Sequence, residues 1–214
     1  MDQIKKAFPI RIEITSALKK AIFAHEYSHG DELNLTEIAE QLGVSRTPVR
    51  EAFQTLAEEG FITLRMNKGA VVNKIGRKFV QDSFEMRILL ESEAACRACV
   101  NRMVIEDLMP RAILQRDFAG MVSREDYEKL NGDIHMRIWN SADNDRLKHY
   151  LLELWNGPST GQSVDESSAH YRASTLEHIE ILEAIRDNEP DKARDAMRRH
   201  ITRSMNNILQ KYPE

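Results

Sequence analysis

Apolar residues recur at every fourth position near the start of the chain, where Ile10, Ile14, Leu18 and Ile22 mark one stripe of a helix over residues 10–27. A shorter helix is expected over Leu35–Leu42, with Thr36 as its N-cap and Gly43 as its break. Ser45–Glu59 reads as a third helix. Its buried stripe is Val49, Phe53 and Leu56, helped by Ala52, and Gly60 stands where a C′ glycine belongs. The segment FITLRMNKGAVV then changes period and reads as two strands joined by a turn at Asn67-Lys68-Gly69. From about Phe79 onward only helix periodicity is present. Helices are expected near 78–102, 105–119, 123–141, 143–155, 168–187 and 190–210. NGPSTGQS, residues 156–163, is a loop by composition, and Asn188-Glu189-Pro190 breaks the last two helices apart. The pattern predicts a mainly α chain. A helical domain with a small β-hairpin covers residues 1–73, a linker 74–79, and an all-helical bundle 80–214.

Pro48 sits inside the third periodic run, where a mid-helix proline would break it. Placing Ser45 at the N-cap removes the conflict. Arg46, Thr47 and Pro48 then fill the first turn, whose N–H groups have no intrahelical partner, so the proline marks a helix start. Arg46 and Arg50 share a face away from the apolar stripe, at the end where the helix dipole is positive. That placement is unfavourable for stability alone and makes sense if the helix tip meets anions. A short helix, a glycine turn and a second helix with donors at its tip is the helix-turn-helix plan, whose second helix enters the major groove. The hairpin would be its wing, with Lys68 at the tip and Gly69 allowing close backbone approach to DNA.

Charge supports this only locally. The whole chain carries a net charge of −4, yet Ser45–Lys78 holds seven Lys/Arg against three Glu, and a basic patch rather than total charge marks phosphate binding. With 42% hydrophobic and 30% charged residues the chain can build a packed core, and no apolar run approaches membrane-spanning length. The N-terminus lacks an apolar leader, and two cysteines are too few for a disulfide framework, so a cytoplasmic protein is expected.

TEIAEQLGVSRTPVREAFQTLAEEGFITL…KGAVV, within residues 36–72, resembles the winged helix-turn-helix of the GntR family of bacterial transcription regulators. The resemblance implies DNA contacts from the helix headed by Ser45, through Arg46, Thr47 and Arg50, and from the wing at Lys68 and Gly69. Family members often carry an arginine near the start of the preceding helix, where this chain has Thr36.

The helical half offers histidines as candidate chemistry. Asn131 and His135 are four apart and share a helix face, whereas Asp133 points to the opposite side. His178 lies among Ile179, Ile181 and Leu182, and His200 beside Met197, Ile201 and Met205, where an unpaired imidazole is costly. Three imidazoles and a side-chain oxygen converging in a bundle would suit a divalent transition metal. RILLESEAA, NGDIHMRIWNSADNDRL, EHIEILEAI and AMRRHI are similar to the helical effector domain of the FadR-type branch of that family. Carried over by position, the similarity implies metal ligands Asn131, His135, His178 and His200, with Zn²⁺ first and Ni²⁺ or Mn²⁺ as alternatives. Asn131 stands where an aspartate is common.

The same resemblance implies a small carboxylate effector at the metal, with Arg87 as an effector ligand or else as an i,i+4 ion-pair partner of Glu91. His149, His170, Tyr171 and Arg172 are further pocket candidates; Cys96, Cys99, Trp139 and Trp155 read as core. The expectation is a homodimeric regulator that binds operator DNA and is neither an enzyme nor a membrane protein. The rival is a three-histidine metalloenzyme with an appended DNA-binding domain, which no HExxH-type segment or nearby general base supports.

Overall fold

A computed structural model describes residues 8–66, 69–118, 121–155 and 164–212. Lys68 and the expected loop 156–163 lie outside the described residues.

The N-terminal unit begins with α1 (Ile10–Phe23), which packs its apolar stripe against α3. It ends four residues before the expected boundary, because His25 takes a left-handed φ of 59°. A two-residue strand, β1 (Glu32–Leu33), follows; two residues are too few to show a period, and the sequence reading misses it. In α2 (Leu35–Gln41) the N-cap is Asn34, not Thr36. The Asn34 Oδ1 accepts from the Thr36 N–H at 2.8 Å, so an amide side chain two residues upstream takes the capping role. α3 (Arg46–Glu58) starts after Ser45, whose backbone is extended as an N-cap requires but whose side chain makes no capping bond. Pro48 falls in its first turn, as expected.

The wing is β2 (Ile62–Arg65) and β3 (Gly69–Val72), and the sheet order is β1-β3-β2, antiparallel throughout. Gly69 has a local reason to be glycine. Its φ is +84°, and a Cβ there would overlap the Leu33 carbonyl oxygen of the neighbouring strand.

Six helices form the C-terminal half among the described residues: α4 (Arg77–Val100), α5 (Leu108–Asp117), α6 (Arg124–Ser141), α7 (Asp145–Leu154), α8 (Val164–Arg186) and α9 (Pro190–Leu209). α4 begins inside the expected linker 74–79, so only residues 73–76 join it to the wing. α8 begins four residues earlier than its period suggested, and Pro190 occupies the first turn of α9. Cys96 and Cys99 are buried free thiols, and Trp139 and Trp155 are core, as read from the sequence. No helix among the described residues is long and apolar enough to cross a membrane.

The two halves share one apolar core. Phe8 stacks on Trp155 with centroids 5.2 Å apart and meets the edge of Trp139 at 6.0 Å. Lys19 of α1, buried, pairs with Glu59 at the end of α3 and donates to the Glu153 carbonyl at the end of α7. Burial pushes the Lys19 ammonium down and the Glu59 carboxyl up, each opposed by the other's charge. Lys20 pairs with Glu128 of α6, and Arg77 donates to the Leu209 and Tyr212 carbonyls. The helix α3 is therefore tied to the bundle through α1.

Candidate functional site: a cationic helix tip and a three-histidine centre

At the first site, Val49, Ala52, Phe53 and Leu56 fix α3 against the core with at most 2% of each exposed. The opposite face is thereby aimed outward. Arg46, Thr47 and Arg50 are all exposed there, and among the described residues neither arginine has an ion-pair partner. Two unneutralised guanidiniums sit on the positive end of a helix whose other side cannot leave the core. Such a tip suits phosphate and guanine edges.

The second site lies in the bundle. His135 of α6, His178 of α8 and His200 of α9 are 1%, 2% and 3% exposed. Ligand-type nitrogens from all three lie within 4.8 Å of one another. Ring centroids are 5.4 Å apart for His135–His178 and His135–His200, and 4.6 Å for His178–His200. The convergence expected from the sequence is present. Asn131, one turn before His135, is buried too, and its Nδ2 has no hydrogen-bond partner among the described residues. Asp133 points away and pairs with Arg111 at 2.6 Å.

Two of the imidazoles are oriented by carboxylates. His135 Nδ1 lies 2.5 Å from Glu91 Oε2, and His200 Nδ1 lies 2.8 Å from Glu177 Oε2. Each carboxylate is held in turn by an arginine. Arg87 Nε and Nη2 donate to Glu91 Oε1 at 3.0 and 2.7 Å. Arg203 Nε and Nη2 donate to Glu177 at 2.6 and 2.8 Å. Burial alone would raise both carboxyls; His135 and Arg87 hold Glu91 at about 2, and His200 and Arg203 hold Glu177 at about 2. With Nδ1 engaged, Nε2 of His135 and of His200 is the nitrogen left for the centre. His178 Nε2 is buried with no hydrogen-bond partner among the described residues. Burial drives the His178 proton affinity well below the ordinary histidine value and lowers His200 in the same direction, keeping both neutral as ligation requires.

Beyond the centre, His170 Nδ1 accepts from Arg203 Nη1 at 3.0 Å and from Asn207 Nδ2 at 3.1 Å, and its Nε2 lies 3.3 Å from the Tyr127 hydroxyl. Burial and the Arg203 charge lower the His170 pKa to about 3. Of the other pocket candidates, Tyr171 stacks on Tyr127 at 4.1 Å, Arg172 is exposed, and His149 is an exposed partner of Glu153. The sequence reading missed Glu177, Arg203, Tyr127 and Asn207. Glu177 was the findable one: it directly precedes His178, and a carboxylate beside a buried histidine is a usual orienting partner.

Family models match in two blocks: "Bacterial regulatory proteins, gntR family" over residues 11–72, and "FCD domain" over residues 82–203. The chain is a GntR-family regulator with an FCD domain. The Nta operon transcriptional regulator of Aminobacter aminovorans is 29% identical over 188 residues, covering 87% of this chain and 89% of that protein. The fold is that of E. coli McbR/YncC, with 19% identity, TM-score 0.69 and coverage of 96% and 100%. The metal-free FCD domain of TM0439 superposes with TM-score 0.51 at 17% identity, over 64% of this chain and 96% of that one. This GntR regulator is therefore a DNA-binding transcription regulator and not an enzyme. The winged helix-turn-helix expected from Thr36–Val72 is its DNA-binding part, and the histidines belong to its FCD part.

Proposed function

We propose that the regulator binds operator DNA as a homodimer in the cytoplasm through Arg46, Thr47 and Arg50 at the tip of α3, assisted by the wing at Lys68 and Gly69. His135, His178, His200 and Asn131 hold a divalent metal in the bundle, Zn²⁺ in first place because three neutral imidazoles are a borderline-soft donor set. The observation that carries the metal reading is His178 Nε2, a buried acceptor or donor without a partner, facing two imidazoles that carboxylates have already turned toward it. A vacant buried nitrogen is costly unless something binds it. When bound, the metal supplies an electropositive anchor for a small carboxylate effector. Arg87 acts in this reading by fixing Glu91, and through it His135.

Control of DNA runs through the contacts between the halves. Trp155 stands 5.1 Å from the His135 ring and stacks on Phe8, two residues before α1, and the adjacent end of α7 holds Lys19, which holds Glu59 of the recognition-helix end. An effector that binds two arrangements of these contacts unequally shifts operator affinity. The test is operator affinity with and without metal and acid, in wild type and in His178→Leu.

A pH dependence follows for metal-free protein. His170 titrates near 3 when folded and near 6.5 when unfolded, so between these values the unfolded chain binds more protons and stability rises with pH. The contribution is present above the unfolded value and lost as pH falls below it. Between pH 7.5 and 5.5 this one residue removes about 1.4 kcal/mol. Glu91 and Glu177, depressed to about 2, lose theirs only below the ordinary carboxylate range, outside this interval. The melting temperature should fall from pH 7.5 to pH 5.5 in wild type, and by about 3–6 °C less in His170→Asn. An equal fall in both would mean His170 is protonated in the fold.

A further inference from the structure

Six residues of α3 are exposed: Arg46, Thr47, Arg50, Glu51, Gln54 and Glu58. Helical geometry sorts them across one face. Arg46 and Arg50, four apart, form a cationic edge. Glu51 and Glu58, seven apart, form the anionic edge on the other side. Thr47 and Gln54, also seven apart, lie between the two. Gln54 stands roughly opposite the buried stripe of Val49, Ala52, Phe53 and Leu56 that holds the helix down. Thr47, Arg50, Glu51 and Gln54 repeat at i, i+3, i+4 and i+7, the spacing of side chains that meet one surface together. The major groove of DNA, about 12 Å wide, admits a helix that presents such a row.

Charge changes along this row. Arg46 and Arg50 are the cations of α3, so its grip on phosphate is confined to its first half, and Glu58 in the last turn would be repelled by phosphate. Gln54 lies between these regions and is uncharged. It is four residues past Arg50, about 6 Å along the axis, or about two base pairs at 3.4 Å each. Its amide has no hydrogen-bond partner among the described residues. The neighbouring Thr55 is turned inward instead: its hydroxyl accepts from Arg11 Nη1 at 2.7 Å and donates to the Glu51 carbonyl at 3.2 Å. Gln54 thus holds a donor and an acceptor side by side, unengaged by the chain, in the middle of the outward face. Adenine offers the complement in the major groove, an N7 acceptor beside an N6–H donor. Guanine offers two acceptors there, cytosine a donor, and thymine an acceptor and a methyl group.

We infer that Gln54 is a specificity-determining residue for the operator. Its Nε2–H donates to N7 of an adenine and its Oε1 accepts from the N6–H of the same base, about two base pairs from the contact of Arg50. The inference rests on the reading that the tip of α3 enters the major groove. It adds a division of labour along the helix. The arginine end supplies most of the affinity, and the neutral middle of the face selects an A·T pair that charge alone cannot distinguish.

The test uses the full-length protein and an operator duplex that wild type selects from random sequence. Repeating the selection with Gln54→Ala should lose the preference for one adenine in each half-site and keep the other positions. Affinity for the wild-type operator should fall about tenfold, the effect of one bidentate base contact, with no change in melting temperature. Gln54→Arg should move the preference at that position to guanine. Replacing the adenine by 7-deazaadenine, which lacks the N7 acceptor, should weaken wild type about tenfold and leave Gln54→Ala unaffected. A merely structural glutamine would not give that difference. Identical base preferences in wild type and Gln54→Ala would overturn the role of Gln54 and leave the arginine tip standing. So would a loss in Gln54→Ala that is equal on all sequences, or a 7-deazaadenine effect of the same size in both proteins. Operator binding that survives Arg46→Ala combined with Arg50→Ala would overturn the entry of α3 into the groove, and the role of Gln54 with it.

Discussion

Arg46→Ala combined with Arg50→Ala should abolish specific operator binding while leaving the fold as stable as before. Each arginine offers a bidentate contact to guanine or a phosphate contact, and such contacts contribute about 1–3 kcal/mol each. Losing both from every half-site lowers affinity by at least about 100-fold. Stability should change by no more than about 0.5 kcal/mol, the usual effect of surface substitutions. The physical basis is that both side chains are exposed and have no ion-pair partner among the described residues, while the stripe that holds α3 is elsewhere on the helix. Anisotropy titration of an operator duplex selected from random sequence, together with a melting curve, checks both halves. The log of affinity should also become less dependent on the log of salt concentration, because fewer counterions are released. A variant that melts much earlier would make these arginines structural.

The second large effect belongs to His178→Leu. In metal-free protein it should cost little or even stabilise, because it replaces an imidazole whose Nε2 has no partner by an apolar side chain of similar size in a buried site. With metal the order reverses. At a free Zn²⁺ concentration of about 100 times the dissociation constant, wild type gains about 2.7 kcal/mol, which for a chain of this length raises the melting temperature by about 5–11 °C. His178→Leu should gain almost none of it. Glu177→Gln gives a graded control: it keeps all three imidazoles but loosens the orientation of His200, and should weaken metal binding by about 10–100-fold. Equal metal-dependent stabilisation of wild type and His178→Leu would remove His178 from the centre.

The two sites were not equally legible. The cationic tip could be read because all its information is local: a proline in the first turn, a stripe at i, i+4 and i+7, and two arginines off that stripe fix one helix by themselves. The histidine centre is non-local. Periodicity shows that His135, His178 and His200 lie on buried faces, but which faces meet depends on how α6, α8 and α9 pack, and only the family resemblance joined them beforehand. Their carboxylate partners were still harder to see, since Glu91 is 44 residues from His135 and Glu177 is 23 from His200. Boundaries slipped where a single residue decided them. His25 turned left-handed and ended α1, and Asn34 capped α2 with its own side chain in place of Thr36. The glycine at 69, read as allowing close approach of DNA, also makes room for Leu33 of the chain itself.

What joins the two sites is the run from His135 through Trp155 and Phe8 to α1, with Lys19 bridging the end of α7 to Glu59. Operator titration of the Zn²⁺-loaded protein, with and without whichever acid raises its melting temperature most, tests directly whether the bundle governs the grip on DNA. Wild type should show an operator affinity that the acid changes by about 5–150-fold, the usual span of an allosteric coupling, and His178→Leu should bind the operator with no response to the acid. The same response in both proteins, or none in wild type, would contradict a regulator worked from its three-histidine centre.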